Sequence, residues 1–340
     1  MVKRLVTLLI FFFSLMTFIS CEKESSGDEN LKDYRSTVEP TGQKDIEYFF
    51  FVGKTGRETG LYKYNLNKNK YKLFWSVPKE TVVQLSYSDN LEYAFFITAK
   101  RLGTKRGVSF IRDIKLYRLD LQNSSVALIR EIGDAVQLFA DWLDNNYKIQ
   151  FTRFDMKIAS RINKINQIYS PFGKLIKEDI EIFDFIKDGY PQFEIRRSSL
   201  ISPSGNFGIA KTADSVFLSI SGVEGKVFID STGRKINKVK WNSDESFVFF
   251  TANSVDENKL KKMPSTIYVY DVVNQKIVKK WEGEYKMNFI IVNELLIFDT
   301  SFNNRSAIGV YDYRKNEDIN IIKIRGSSGL FNIPYQLIAN

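Results

Sequence analysis

From Ile46 onward, short runs of alternating or continuous apolar residues are cut by polar turns at regular intervals. Four of these runs open with an aromatic residue: Tyr93–Thr98, Tyr147–Thr152, Phe207–Thr212 and Phe247–Thr251. Each follows a tetrad made of one large apolar residue and three turn residues. Three of the tetrads align without a gap: Tyr87-Ser88-Asp89-Asn90 before Tyr93, Ile201-Ser202-Pro203-Ser204 before Phe207, and Trp241-Asn242-Ser243-Asp244 before Phe247. The fourth, Trp142-Leu143-Asp144-Asn145, stands one residue closer to its aromatic, Tyr147. Ser, Asn, Asp, Gly and Pro at such places close tight hairpins, so the pattern predicts strand–turn–strand. Few stretches show an i, i+3, i+4 spacing, and the predicted helix content is low.

A second signature follows in four of the units: Leu61-Tyr62-Lys63-Tyr64-Asn65, Leu116-Tyr117-Arg118-Leu119-Asp120, Ile267-Tyr268-Val269-Tyr270-Asp271 and Ile308-Gly309-Val310-Tyr311-Asp312. Each is a strand ending in Asp or Asn, where a turn begins. A further strand then closes each unit: Tyr71–Trp75, Val126–Ile129, Lys226–Ile229, Ile277–Trp281 and Ile319–Ile324. Four antiparallel strands recurring along a chain are the sequence pattern of a β-propeller blade. The turn tetrads and the Ile-Tyr-Val-Tyr-Asp strand resemble the TolB-type, WD-related propeller repeats, whose consensus turn is Ser-Pro-Asp-Gly. Only Ser202-Pro203-Ser204-Gly205 keeps both Pro and Gly. The resemblance covers about residues 46–340 and implies a fold, not an activity.

The predicted fold class is therefore all-β, a propeller of four-stranded antiparallel blades. Innermost strands start near Val82, Val136, Ser199, Ile236 and Met287, which gives five complete units. Residues Ile46–Trp75 supply three strands only. If the apolar C-terminal segment Gly329–Ala339 adds to them as the innermost strand, the ring closes with six blades. Seven blades follow if Asp179–Arg197 hides a degenerate unit. Closure by the C-terminal strand removes a free sheet edge, so loss of Gly329–Asn340 is expected to unfold or aggregate the protein.

The N-terminus has a different character. Lys3 and Arg4 precede an apolar run, Leu5–Ile19, that ends at Ser20-Cys21. This tripartite form is that of a secretory signal, and the run is shorter than the ~20 residues a spanning helix needs. It resembles a bacterial lipoprotein signal, which implies cleavage before Cys21 and lipidation of its sulfur, with Phe18 standing where leucine is usual. Residues Glu22–Gln43 are polar and charged, the composition of a tether. The expected organisation is a signal peptide at 1–20, lipidated Cys21 with a flexible tether to 43, and a propeller domain at 44–340. The membrane is then touched through lipid alone, in the bacterial cell envelope.

Composition narrows the chemistry. The 340 residues contain no His and one Cys, which excludes Ser-His-Asp and Cys-His nucleophile systems, His-ligated metals and an intrachain disulfide. No P-loop, dinucleotide glycine motif, calcium loop or sialidase-type Asp box is present, and the sequence calls for no cofactor. Carboxylate chemistry survives. Asp89, Asp144 and Asp244 lie in hairpin turns, however, and Asp120, Asp271 and Asp312 end strands, where Asp is favoured for backbone hydrogen bonding alone. Trp142, Trp241, Trp75 and Trp281 fit packing between blades better than carbohydrate stacking.

Charge supplies the functional hint. The net charge of +9 becomes +7 when Lys3 and Arg4 are lost with residues 1–20. Basic residues gather in the connections between second and third strands, which project from one face of a propeller. They are Lys54 and Arg57; Lys100, Arg101, Lys105 and Arg106; Lys157 and Arg161; Lys259, Lys261 and Lys262; and Arg305. Asp155, Asp256, Glu257 and the acidic stretch Glu178–Asp188 dilute the pattern. Long loops on a rigid scaffold are where binding resides. The expected function is a non-enzymatic, lipid-anchored module. Its partner is an envelope protein or an anionic polysaccharide or lipid head group, not nucleic acid. The alternative is a glycan-binding or carboxylate-dependent glycan-cleaving propeller, and a passive spacer stays open beside both.

Overall fold

The computed structural model describes residues 46–330, apart from 56–57, 101, 106–107, 144, 156, 159, 185, 190, 192–199, 232–234, 254–264, 284–286, 304 and 325. Among the described residues the regular elements are all strands, arranged in six antiparallel sheets that succeed one another along the chain. Blade 1 contains β1 (Tyr48–Thr55), β2 (Glu58–Asn65) and β3 (Lys70–Trp75). Blade 2 contains β4 (Thr81–Tyr87), β5 (Tyr93–Ala99), β6 (Leu102–Lys105), β7 (Val108–Asp120) and β8 (Ser125–Ala135). Blade 3 contains β9 (Gln137–Leu143), β10 (Asn146–Phe154), β11 (Arg161–Tyr169) and β12 (Leu175–Asp184).

Blade 4 is β13 (Phe207–Lys211), β14 (Ser215–Ile220) and β15 (Lys226–Ser231), with a lone bridge between Ile201 and Gly208 where an inner strand would run. Blade 5 is β16 (Lys235–Trp241), β17 (Phe247–Asn253), β18 (Ser265–Asp271) and β19 (Lys276–Gly283). Blade 6 is β20 (Phe289–Val292), β21 (Leu295–Phe302), β22 (Arg305–Asp312) and β23 (Glu317–Ile322). The last strand, β24 (Ser327–Gly329), pairs antiparallel with β1, so blade 1 reads β24-β1-β2-β3. This is the blade construction of a six-bladed β-propeller. Blades 4 and 5 (residues 198–286) form one compact unit, and blades 1, 2, 3 and 6 form a second.

The turn chemistry explains why these residues hairpin. Ser88, Ser202 and Asn242 do the same work in blades 2, 4 and 5. Their amides donate to the carbonyls of Tyr93, Phe207 and Phe247 at 2.9, 2.8 and 3.2 Å. Their side-chain oxygens accept from the amides of those same aromatics at 3.1, 3.2 and 2.9 Å. The left-handed position of each turn is Leu91, Gly205 or Glu245, with φ of 54°, 77° and 56°. Glycine takes that conformation without steric cost, and only blade 4 has it.

The Asp and Asn residues that end third strands also behave as turn residues. Asn65, Asp120, Asp271 and Asp312 each accept the amide three residues on, at 2.6, 2.8, 2.9 and 2.9 Å. Asp244 likewise accepts the Ser246 amide at 3.0 Å. Each is bound to its own turn.

Burial follows the order of strands within a blade. The middle strands are the core: Ala94–Ala99 of β5 and all of β18 are buried, whereas most of β3, β12 and β23 is exposed. Phe95, Trp142 and Tyr147 join blades 2 and 3, with Phe95 and Tyr147 stacked at 4.5 Å. The Trp142 indole N–H donates to the Ser86 carbonyl at 3.0 Å, so this tryptophan is a core residue with its polar edge satisfied. Val216, Leu218, Phe250 and Tyr268 do the same for blades 4 and 5.

The expected addition of a C-terminal strand to blade 1 is present, but it starts earlier than the sequence suggests: among the described residues it is Ser327–Gly329, and residues 331–339 of the expected Gly329–Ala339 lie outside the described region. Asp179–Arg197 does not begin a seventh unit, because Asp179–Asp184 belong to β12, the outer strand of blade 3.

Candidate functional site

The most distinctive feature of blade 2 stands beyond its sheet. The lower half of β7, Lys115–Asp120, pairs with β5, while its upper part, Val108–Ile111, pairs with β6. Since β5 ends at Ala99, the β6–β7 hairpin extends past the blade. Lys100–Arg106, expected as loop, thus includes a strand, because the hydrogen-bonding partners are supplied by an unusually long neighbour of 13 residues.

A bulge aims this hairpin. Between Ile111 and Ile114 the register against β8 breaks, setting Arg112 and Asp113 together opposite the single residue Asp134, and Asp113 adopts φ 49°. Bulges bend and twist a strand and re-aim what it carries. The break is tied on both sides. The Asp113 amide donates to Asp134 Oδ1 (3.0 Å), the Lys100 amide to the Arg112 carbonyl (2.9 Å), and Lys100 Nζ lies 3.4 Å from Asp113 Oδ2. Lys100 and Asp113 are about half exposed, so their ion pair contributes orientation more than stability.

Below the hairpin lies a buried carboxylate. Glu80 sits in the connection from blade 1 to blade 2, with its side chain 3% exposed. Lys115 Nζ and Thr98 Oγ1 each donate to one of its oxygens at 2.7 Å. Thr59 Oγ1 donates to its backbone carbonyl at 3.1 Å. The Glu80 contact holds the Lys115 ammonium protonated above the usual lysine range. On the neighbouring residues of β3, β5 and β7, Trp75, Phe96 and Tyr117 pack against one another, with centroids 4.8–5.0 Å apart. With a strong donor on each oxygen, Glu80 is an anchor for the hairpin root and not a free general base.

The other described basic residues singled out in the sequence border the expected connections, most of them as strand residues. Lys54 is near the end of β1, Lys105 ends β6, Arg161 opens β11 and Arg305 opens β22. Lys157 lies between β10 and β11. Its amide and that of Ile158 donate to Asp155 Oδ1 at 2.6 and 3.1 Å, which keeps that carboxyl below its ordinary range. Cys21, Arg57, Arg101, Arg106, Lys259, Lys261 and Lys262 lie outside the described residues. Lys100 is brought into a charge cluster with Arg112, Asp113 and Asp134, whereas Lys157 and Arg161 share the β10–β11 hairpin and Arg305 sits on the β21–β22 hairpin. Glu80, Lys115, Asp113 and Asp134 were not visible as site residues in the sequence. Among the described residues, no cluster of three Asp or Glu side chains could hold a metal ion, and no helix is long and apolar enough to cross a membrane.

No family model matches the chain, and no curated protein matches it. Solved structures similar to it include the β-propeller domain of the Trilobed protease from Pyrococcus furiosus (12% identity, 78% of this chain and 89% of that one, TM-score 0.39). Apo AztD from Citrobacter koseri is another (9% identity, 84% and 96%, TM-score 0.38). A third is TolB from Acinetobacter baumannii (11% identity, 83% and 53%, TM-score 0.28), of which this chain spans about half the length. These similarities say nothing of activity, and the propeller assignment follows from the sheets themselves.

Proposed function

We propose that the chain is a lipid-anchored binding module of the bacterial envelope that engages an acidic protein surface without catalysing a reaction. The observation that carries this is the β6–β7 hairpin. It extends past blade 2, is aimed by a tied bulge and is rooted on a buried ion pair. Its sequence, from Lys100 to Arg112, includes Lys100, Arg101, Lys105, Arg106 and Arg112 and no acid. A basic finger held at a fixed angle suits an anionic partner, raising encounter rates more than final affinity.

The test is a crosslinking pull-down from a detergent-treated envelope extract of the native host. It compares the wild-type chain with a variant changing Lys100, Arg101, Lys105 and Arg106 to Glu. A protein captured by the first and lost by the second, more strongly at low salt, is the expected result. Equal capture by both would overturn the assignment of the hairpin.

Anchoring rests on Cys21 and has its own test. Cys21→Ser is expected to move the protein from the membrane to the soluble fraction and to abolish incorporation of a labelled fatty acid. Retention in the membrane with no label in either form would replace the lipid anchor with a different attachment.

A further inference from the structure

The outer strands of blades 1 and 3 are unlike in charge and alike in pattern. In β3, Lys70 and Lys72 alternate with Tyr71 and Leu73, all exposed, and the two apolar residues are each 42% accessible. No acidic residue occurs from Leu66 to Lys79. The charge here is uncompensated enough that Lys72 helps, after burial, to lower the pKa of neighbouring Lys63. In β12, Asp179 and Glu181 alternate with Ile180 and Ile182, which are 59% and 63% exposed, and Ile176 is 56% exposed. That strand carries four carboxylates (Glu178, Asp179, Glu181 and Asp184) against one lysine, Lys177, on a chain whose net charge is +9.

Among the described residues both strands are sheet edges, each paired on one side only, to β2 and to β11. Such an edge presents unpaired backbone groups and is a template for another strand. The usual safeguards are a short strand, a proline or charge. β12 is ten residues long and contains no proline, so charge alone guards it. That guard works against like edges only. Two antiparallel copies of β12 centred on Ile180 would set Asp179 against Glu181, and two of β3 centred on Tyr71 would set Lys70 against Lys72. Like charges directly opposite one another are destabilising.

We infer that β3 of one molecule docks antiparallel on β12 of a second copy of this chain. One register satisfies the central positions together: Lys72 opposite Asp179, Tyr71 opposite Ile180 and Lys70 opposite Glu181. Because side chains alternate with a period of two, a slip by one residue sets lysine against isoleucine and loses all three pairs. The existing partners leave room for this. Asp179 is bound to Lys177 at 2.7 Å and Glu181 lies 3.6 Å from Lys164, yet each carboxylate side chain keeps about half its surface exposed, at 49% and 48%. The other basic outer strand, β19, suits the contact less, since Glu282 stands among its lysines and only Lys276, Lys280 and Glu282 of its residues are exposed. The contact is heterologous, with different surfaces on the two partners, so it propagates head to tail instead of stopping at a two-fold dimer. It is independent of the hairpin and of the function proposed above.

The experiment uses the full chain in a non-ionic detergent and two charge-reversed variants. One carries Lys70→Glu and Lys72→Glu, the other Asp179→Lys and Glu181→Lys. By sedimentation, the wild type is expected to gain mass with concentration at low salt and lose it as salt shortens the screening length toward ~3 Å. Each variant alone is expected to associate at least about tenfold more weakly, because each places like charges across the contact. Mixed in equal amounts, the two variants again present opposite charges at both edges, and association is expected to return.

A wild type that stays monomeric at every concentration, variants that associate as the wild type does, or a mixture that fails to recover would each overturn the proposal. A crosslink guards against variants that fold poorly. Tyr71→Cys and Ile180→Cys, each in a Cys21→Ser background, should form a mixed disulfide dimer when combined, and its absence would also overturn the proposal.

Discussion

Gly326→Val is expected to lower stability by about 3 kcal/mol or more, by forcing bulk into a site where two backbones touch. A β-carbon on Gly326 would overlap the Lys54 carbonyl oxygen and lie 2.7 Å from the carbonyl carbon, so relief requires the chain after it to move. The very next residue begins β24, which is paired through Ser327, Ser328 and Gly329 to Lys54, Gly53 and Val52 of β1. Blade 6 holds the same strand from its other side. The Ser328 amide donates to Ser306 Oγ at 3.0 Å, and the Leu330 amide to Asp299 Oδ1 at 2.8 Å. Displacing three residues therefore releases hydrogen bonds to two blades and bares the edge of β1.

Urea unfolding and amide exchange would both report the change. The expected readout is a lower midpoint, with early loss of protection at the amides of β1. An unchanged midpoint would show that β24 contributes little to the fold, and with it the expectation that loss of Gly329–Asn340 is damaging would fail.

Lys115→Met is expected to cost roughly 3–5 kcal/mol, the usual penalty for leaving a buried charge without its partner. Glu80 would keep the Thr98 hydroxyl as its remaining side-chain donor in a site from which water is almost excluded. The double variant Glu80→Gln, Lys115→Met should recover most of the loss, since a neutral amide in that place carries no charge to be solvated. Were the single variant as stable as the wild type, the pair would be incidental.

The pair also sets an alkaline limit. The Lys115 pKa is raised above its ordinary value of 10.5 by the Glu80 hydrogen bond. Its contribution is accordingly complete below that value and is lost as pH climbs through the raised folded value. Stability measured between neutral and strongly alkaline pH should fall more steeply for the wild type than for the double variant.

What could be read from the sequence was local chemistry. Ser88, Ser202 and Asn242 revealed the first hairpins because one polar side chain closes each turn, and Asp271 and Asp312 revealed the next turns for the same reason. Strands built by their neighbours were harder to see. Ser327-Ser328-Gly329 has no intrinsic preference for a strand and becomes one through β1 and the Ser306 contacts. β12 was hidden because isoleucines interleaved with carboxylates resemble an acidic surface stretch more than a sheet edge. β6 was hidden by the basic residues around it.

At the candidate site, the basic residues were legible one at a time. The ion pair beneath them was not, since Glu80 and Lys115 meet only when β4, β5 and β7 are in register. Sequence also gives no sign of the Arg112–Asp113 bulge, which depends on how many residues β8 opposes to β7.

The pairing of β24 with β1 fixes a timetable as well as a structure. Val52 leaves the ribosome long before Gly329. At about 5–20 residues per second, the interval between them is on the order of 15–55 s. Throughout that time the earliest blade to be made has no inner strand. It is therefore the first sheet to emerge and the last to be finished. A nascent product stopped anywhere before Ser327 carries an open β1 edge, a mark by which a protease or chaperone can tell a partial chain from a finished one.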